Sequence, residues 1–258
     1  MVTPTPHHST TELAERLGVN ARVCAVVATT PLSPSIHEVV LRGDASLLTG
    51  PPGSDVMVRV SSGPESFVRR RYSVRAVDSD HDQFTLWVST EHDGPGSRWV
   101  QHAAPGDPVD IVGPRGKIPL DPAADWHLFM GDVSALGAFY RMAQSIEAPG
   151  RAIFIVEIDS DEDALTAGFD EGVGITGIFV NRQGRARNDP AGLLSGLAAF
   201  ALPPDEGHAY LFGEFSIIRV LRSALVDRGI AEARISNKAF WRMGRDNAAH
   251  GEPDKSDN

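Results

Sequence analysis

A chain of 258 residues is long enough for one large domain or for two of about 100 to 130 residues, each with a full core. Its 41% hydrophobic and 22% charged residues are ordinary for a soluble globular protein, and its net charge of −10 argues against wholesale binding to nucleic acid or to an anionic membrane. The single cysteine, Cys24, excludes an intrachain disulfide and any cysteine-built metal or iron–sulfur centre, and the cytoplasm is the expected compartment.

Residues 1–20 read as a flexible N-terminal segment. Met1 to Thr11 is rich in Pro, Thr and His, has no basic-then-apolar leader pattern, and carries His7-His8 as two exposed histidines of a tail. From Ala21 to Leu120 the text is short β runs at 22–27, 35–41, 56–60, 72–77, 84–89 and 108–112, broken by Pro-Leu-Ser-Pro, Gly-Pro-Pro-Gly and similar turns. Six closely spaced strands predict an antiparallel barrel or sandwich over 21–122.

The rhythm changes after Pro119 and Pro122. Strands at 127–131, 152–158, 174–180, 209–213 and 235–241 are interleaved with helices at 134–146, 189–200 and 215–228. The apolar run at 152–158 is of the kind buried on both faces of a parallel sheet. That alternation predicts a doubly wound α/β domain over 123–245. Residues 246–258 hold four acids and one lysine without periodicity and read as a disordered acidic tail. No stretch approaches the ~18 to 20 apolar residues that span a bilayer, so no integral membrane association is expected.

The first chemical signal is Arg69-Arg70-Arg71-Tyr72-Ser73-Val74-Arg75, with four arginines around one tyrosine on a strand. Guanidinium groups suit a pyrophosphate and a phenol edge suits a flavin ring; a solvated strand edge protected by cations would look the same. The second is Asp93-Gly94-Pro95-Gly96-Ser97-Arg98-Trp99, opening a short helix at 98–104. Glycine lets the backbone approach a ligand, and amides at a helix start with Ser97 as a further donor suit a phosphate. A plain Gly-Pro turn is the alternative.

Taken in order, Arg-x-Tyr-Ser at 70–73, Gly-Pro-x-Ser-x-Trp at 94–99 and Gly113-Pro114-Arg115-Gly116 resemble the siderophore-interacting protein family, FAD-dependent ferric-siderophore reductases within the ferredoxin-reductase-like flavoproteins. The resemblance continues in Gly131-Asp132-Val133-Ser134-Ala135, similar to the family's strand-to-helix turn, and in Gly213-Glu214 followed by Arg219. It closes with Phe240-Trp241-Arg242-Met243-Gly244-Arg245, similar to its Tyr-Trp-Arg-x-Gly ending. The family often has a histidine three residues before the Gly-Pro pair, where this chain has Glu91, with His92 one position later.

The resemblance implies a β-barrel FAD-binding domain followed by an NAD(P)H-binding-like domain. It assigns FAD contacts to Arg70, Tyr72, Ser73, Val74, Arg75, Glu91, His92, Gly94, Gly96, Ser97 and Trp99. The donor or siderophore side falls to Asp132, Ser134, Glu214, Arg219, Trp241, Arg242 and Arg245. The implied reaction reduces chelated Fe(III) to Fe(II), with electrons from NAD(P)H or a reduced ferredoxin. No acid–base residue is obligatory, because the flavin carries the electron chemistry. A non-catalytic siderophore-binding module and a flavin reductase with another acceptor are the alternatives.

Charge patterning adds three expectations. Arg234 to Arg245, with four bases and no acid, and the run Arg182, Arg185 and Arg187 offer a cationic mouth for an anionic chelate, or a solvated basic edge. The seven acids from Glu157 to Glu171 lack the ligand spacing of a calcium loop and read as a solvated loop. Trp241 either stacks at the flavin or plugs the domain interface.

Overall fold

The computed structural model describes residues 10–43, 50–60, 68–116, 118–169 and 171–244. The acidic tail at 246–258 and Arg245 lie outside the described residues.

Six strands form the first domain: β1 (Ala21–Ser33), β2 (Ile36–Arg42), β3 (Asp55–Arg59), β4 (Arg69–Asp78), β5 (Gln83–Ser89) and β6 (Pro108–Arg115). They close into an antiparallel barrel in the order β1-β2-β5-β4-β3-β6. Period-two alternation sends one face of each strand inward. In β5, Phe84, Leu86 and Val88 are buried, and they meet Val39, Leu41, Val56, Val58, Val74 and Ile111 in one core. A closed barrel has no edge strand, and β4 pairs with both β3 and β5. The arginines of β4 therefore guard no edge. Arg69 is buried, and Arg71 pairs with Asp55 at 3.4 Å. A short helix, α2 (Pro95–His102), follows β5.

The expected flexible segment at 1–20 is corrected within its described part. Thr10–Leu17 form a helix, α1, whose Leu13 and Ala14 are buried against Met57 and Val112 on the outside of the barrel. Burying one leucine is worth about 1.5–3 kcal/mol, enough to hold two turns of helix that would be marginal alone.

The second domain is a parallel sheet of β7 (Trp126–Asp132), β8 (Arg151–Ile158), β9 (Gly174–Asn181), β10 (Gly207–Glu214) and β11 (Ile235–Trp241), in the order β11-β10-β7-β8-β9. Every residue of β7 and β10 is buried, which explains their near-continuous apolar text. Phe129, Phe154, Val156, Tyr210 and Phe212 point to the face covered by α3 (Leu136–Ala143). Leu128, Met130, Ile153, Ile155 and Leu211 point to the other face, under α4 (Ala191–Ala199) and α5 (Phe215–Asp227). The sheet is doubly wound, as the alternation predicted. The chain runs outward from β7 through β8 to β9 and then returns to the other side of β7 as β10. The topological switch therefore lies between β7 and β10, and a crevice opens at their C-terminal ends.

Side chains from both domains lock them together. Asp163, fully buried, accepts hydrogen bonds from Ser33 Oγ at 2.6 Å, from Ser35 N at 3.1 Å and from Ser35 Oγ at 2.7 Å. The Arg75 guanidinium lies 4.9 Å from the Trp87 ring and donates to Gln144 Oε1 at 2.7 Å. The acid-rich segment beginning at Glu157 is thus not wholly a solvated loop: Asp163 is a barrel clamp.

One buried histidine makes stability pH-dependent. His127 is 2% exposed, stacks beside both Phe129 and Tyr210, and its Nδ1 has no hydrogen-bond partner among the described residues. Burial, helped by His208, pushes its pKa down from 6.5 to about 4. The unfolded chain takes up this proton near 6.5 and the folded chain only near 4, so stability present above 6.5 is lost as pH falls through that window. His127→Phe is expected to remove this part of the acid sensitivity, on the order of 3 kcal/mol once both values are passed. Thermal midpoints of the two proteins between pH 7 and pH 4 check it; parallel curves would assign the acid sensitivity to other groups.

Candidate functional site

The crevice at the switch point meets the barrel along β4, the end of β5 and the start of α2. Between the domains lies a cavity of about 150 Å³ lined by Arg70, Tyr72, Ser73, Ser89, His92 and Gly96 from the barrel side, and by Ser134, Gly137 and Trp241 from the sheet side.

The barrel wall follows from the two motifs. Tyr72 is half-buried with its ring stacked on Trp99 at 6.2 Å and 24°, and desolvation raises its phenol pKa, so the hydroxyl stays protonated. Gly96 sits where any side chain would collide: a Cβ there would lie 2.1 Å from Tyr72 Oη. The N-cap of α2, Gly94, brings no capping side chain, so the amides of Gly96 and Ser97 remain for an external acceptor. Ser97 Oγ instead donates to the His92 carbonyl and braces the turn. Ser73 Oγ is buried and has no hydrogen-bond partner among the described residues.

The sheet wall is built on Asp132. Its Oδ1 accepts from Ser134 N at 3.0 Å and from Ser134 Oγ, and its Oδ2 accepts from Glu214 N and Trp241 Nε1, each at 3.0 Å. Burial raises its pKa, with the Ser134 and Trp241 hydrogen bonds opposing. The second oxygen is reachable only because Gly213 has φ +137° and no Cβ, which would stand 2.4 Å from it. Trp241, held through its indole N–H, packs edge-to-face with His92, their ring centroids 4.7 Å apart. It therefore forms the cavity wall and joins the domains.

Beneath His92 lies a charged cluster. Glu91, fully buried, faces Arg187 at 3.1 Å and Arg182 at 3.5 Å; Arg182 also binds Glu157 at 3.0 Å and Asp159; Arg187 binds Asp159 at 2.9 Å. Burial, together with the negative charges of Asp132 and Asp159, pushes the Glu91 carboxyl up to about 8.

The predicted site residues divide accordingly. Arg70, Tyr72, Ser73, His92, Gly94, Gly96, Ser97, Ser134 and Trp241 come together around one cavity. Trp99 backs Tyr72 without lining the cavity, and Asp132 holds Trp241 from behind. Val74 points into the barrel core, its N–H and carbonyl engaged by Ser54 and Arg141. Arg75 is turned into the domain interface, because the strand's alternation puts it beside Trp87 and Gln144. Glu214 is the N-cap of α5, accepting from Ser216 N at 2.6 Å and Ile217 N at 2.9 Å.

Arg219 and Arg242 line a separate cavity of about 780 Å³ over α5, with guanidiniums 5.9 and 4.8 Å from the Phe215 ring. The run Arg182, Arg185 and Arg187 does not form a free cationic mouth, since each is paired with a carboxylate.

Sequence reasoning missed Arg71, Trp87, Ser89, Gly137, Ala138 and Phe240 as lining residues. Only strand alternation, Arg71 and Ser73 sharing a face and Trp87 and Ser89 another, carried any signal.

These residues fit a flavin dinucleotide. A buried hydroxyl lacks a partner among the described residues, a helix start lacks a cap, Arg70 lines the same cavity, and Gly96 keeps the approach open.

Comparisons with known proteins agree. Residues 49–118 match the family model described as the siderophore-interacting FAD-binding domain, and residues 124–244 match that of the siderophore-interacting protein. An uncharacterised protein of Mycobacterium tuberculosis is 32% identical over 190 residues, 68% of this chain, and the match spans 65% of that relative's length. Ferric vibriobactin reductase ViuB of Vibrio cholerae is 26% identical over 191 residues, 72% of this chain and 68% of its own. A siderophore utilization protein from T. fusca superimposes with a TM-score of 0.79 at 25% identity, covering 90% of this chain and 96% of that one.

Proposed function

The chain belongs to the siderophore-interacting protein family of ferredoxin-reductase-like flavoproteins, and from that premise we propose that it reduces ferric siderophores with FAD held in the interdomain cavity. The observation that carries the reading is the convergence of Arg70, the unpartnered Ser73 hydroxyl and the uncapped start of α2 on one cavity that the sheet's switch point also lines.

Arg70 and the Gly96 and Ser97 amides would hold the pyrophosphate, and Tyr72 and Ser73 would hold the ring system. Bound there, FAD takes electrons as a pair and passes them on singly, the change of stoichiometry that reducing Fe(III) to Fe(II) requires. Trp241 walls the cavity on the sheet side and is kept in place by Asp132. Hard anionic oxygen donors hold Fe(III) far better than Fe(II), so one electron loosens the chelate and iron leaves. The cavity beside Phe215, with Arg219 and Arg242, offers cations for the anionic part of the chelate or of the donor. The donor is NAD(P)H or a reduced ferredoxin, and the setting is cytoplasmic. No helix among the described residues is long and apolar enough to cross a membrane.

Titration with FAD, followed by visible absorbance, tests the cofactor. Arg70→Ala is expected to weaken FAD binding by about tenfold to a hundredfold, the worth of one charge-assisted pyrophosphate contact. A protein that takes up no FAD contradicts the reading. Anaerobic mixing of photoreduced protein with a ferric siderophore and an Fe(II) trap tests the reaction: reoxidation without trapped Fe(II) excludes iron release.

A further inference from the structure

The charged cluster under His92 connects the cavity to solvent. Ser89 Oγ lines the cavity and donates to Glu91 Oε2 at 3.3 Å. The Glu91 carboxyl, fully buried, and the Asp159 carboxylate, 30% exposed, meet on the same two guanidiniums, Arg182 and Arg187. Hydroxyl, buried carboxyl and exposed carboxylate thus stand in series from the cavity to water. The groups that face Glu91 are Asp132 from β7, Asp159 past β8, Arg182 and Arg187 past β9, and its neighbour His92; Glu157 and Arg185 close the cluster behind them.

Four carboxyls there meet three guanidiniums, and His92 is held neutral by burial and by Arg187. One retained proton leaves the cluster without net charge, which an enclosed site favours. Asp132 accepts four hydrogen bonds, Glu157 is paired with Arg182 and Arg185, and Asp159 is held ionised by its two arginines, which leaves Glu91 as the carboxyl whose burial favours the proton.

We propose that Ser89, Glu91 and Asp159 form a proton path that empties the flavin cavity into water during each turnover. The inference rests on the flavin reading of the cavity. A hydride delivered there brings one proton with its two electrons. Two ferric ions take one electron each and become ferrous, and the proton stays behind. Ser89 Oγ takes that proton as it passes its own to Glu91; Glu91 passes its proton to Asp159; Asp159 releases one to solvent. Every group ends the cycle as it began. In this path Glu91 is a relay that acts through Ser89.

Two readings test the path. In the protein without flavin at pH 7, the infrared carbonyl stretch of a protonated carboxyl is expected, lost in Glu91→Gln and kept in Ser89→Ala. After FAD uptake has been measured for each variant, the loaded proteins are reduced anaerobically and mixed with ferric EDTA in weak buffer with an indicator dye. Proton release is expected to keep pace with flavin reoxidation in the parent protein and to lag about tenfold or more in both variants, within the range of a lost proton-transfer group. A carbonyl band untouched by Glu91→Gln, or proton release that keeps pace in both variants, overturns the path. Failure of the parent protein to take up FAD overturns the cavity reading itself, and the titration reveals that before the mixing step.

Discussion

Replacing Arg182 by alanine is expected to destabilise the protein by about 3–5 kcal/mol, the cost of breaking a buried ion-pair cluster by removing its central cation. Arg182 is 3% exposed, binds Glu157 Oε2 at 3.0 Å, and reaches Asp159 and Glu91. Glu157 is fully buried and loses its 3.0 Å guanidinium partner. Because Glu91 comes from the barrel side and the other carboxylates from the sheet, the loss falls on the domain interface as well as on the loop after β9. Denaturant unfolding measures it as a fall in midpoint. The same Arg182→Ala change made together with Glu157→Gln should cost less than the sum of the two changes made alone, since the second removes the charge that the first strands. A loss below about 1 kcal/mol would mean the cluster is open to water and behaves as a surface ion pair.

Gly96→Val is expected to weaken FAD binding by roughly tenfold to a hundredfold, since forcing a side chain into a packed wall costs about 1–3 kcal/mol. The first new carbon would stand 2.1 Å from Tyr72 Oη. Tyr72 cannot swing away cheaply, because its ring is stacked on Trp99 and packed against the barrel core. The displacement falls on the surface that faces the cavity. Gly168→Ala is the control: nothing lies within 4 Å of a Cβ at that position, and it does not line the cavity. Flavin titration of both variants checks the pair. Equal affinities would show that the Gly-Pro-Gly turn is only a turn.

The two predictions depend on different kinds of legibility. Gly96 belongs to a motif that could be read in the chain, because its chemistry is local: a turn, a helix start and a strand carry their residue types at fixed spacing. The same holds for the alternation that predicted a barrel and a doubly wound sheet, since strand and helix periods are imposed residue by residue. Arg182 was legible only as a member of a basic run. Its partners Glu157 and Asp159 were legible only as members of an acidic one, and nothing in either run states that they meet. The parallel pairing of β8 with β9 puts Glu157 opposite Val180 and Ile158 opposite Asn181, and so carries the acids to the arginines.

Arg75 and Glu214 show the converse. Each belongs to a matching motif, yet strand alternation turns Arg75 to the domain interface, and Glu214 spends its carboxylate on the first amides of α5.

The amino-acid order by itself determined two domains, their strand and helix content, and a flavin-type motif on β4 with its companion turn at α2, because these are set by short-range sterics and hydrophobic period. The tertiary structure alone decided which of the nominated side chains share a cavity, that the basic and acidic runs neutralise each other under it, and that burial raises the pKa of the Glu91 carboxyl. Those outcomes depend on distances between residues far apart in the chain and on the loss of water around them, and a linear text records neither.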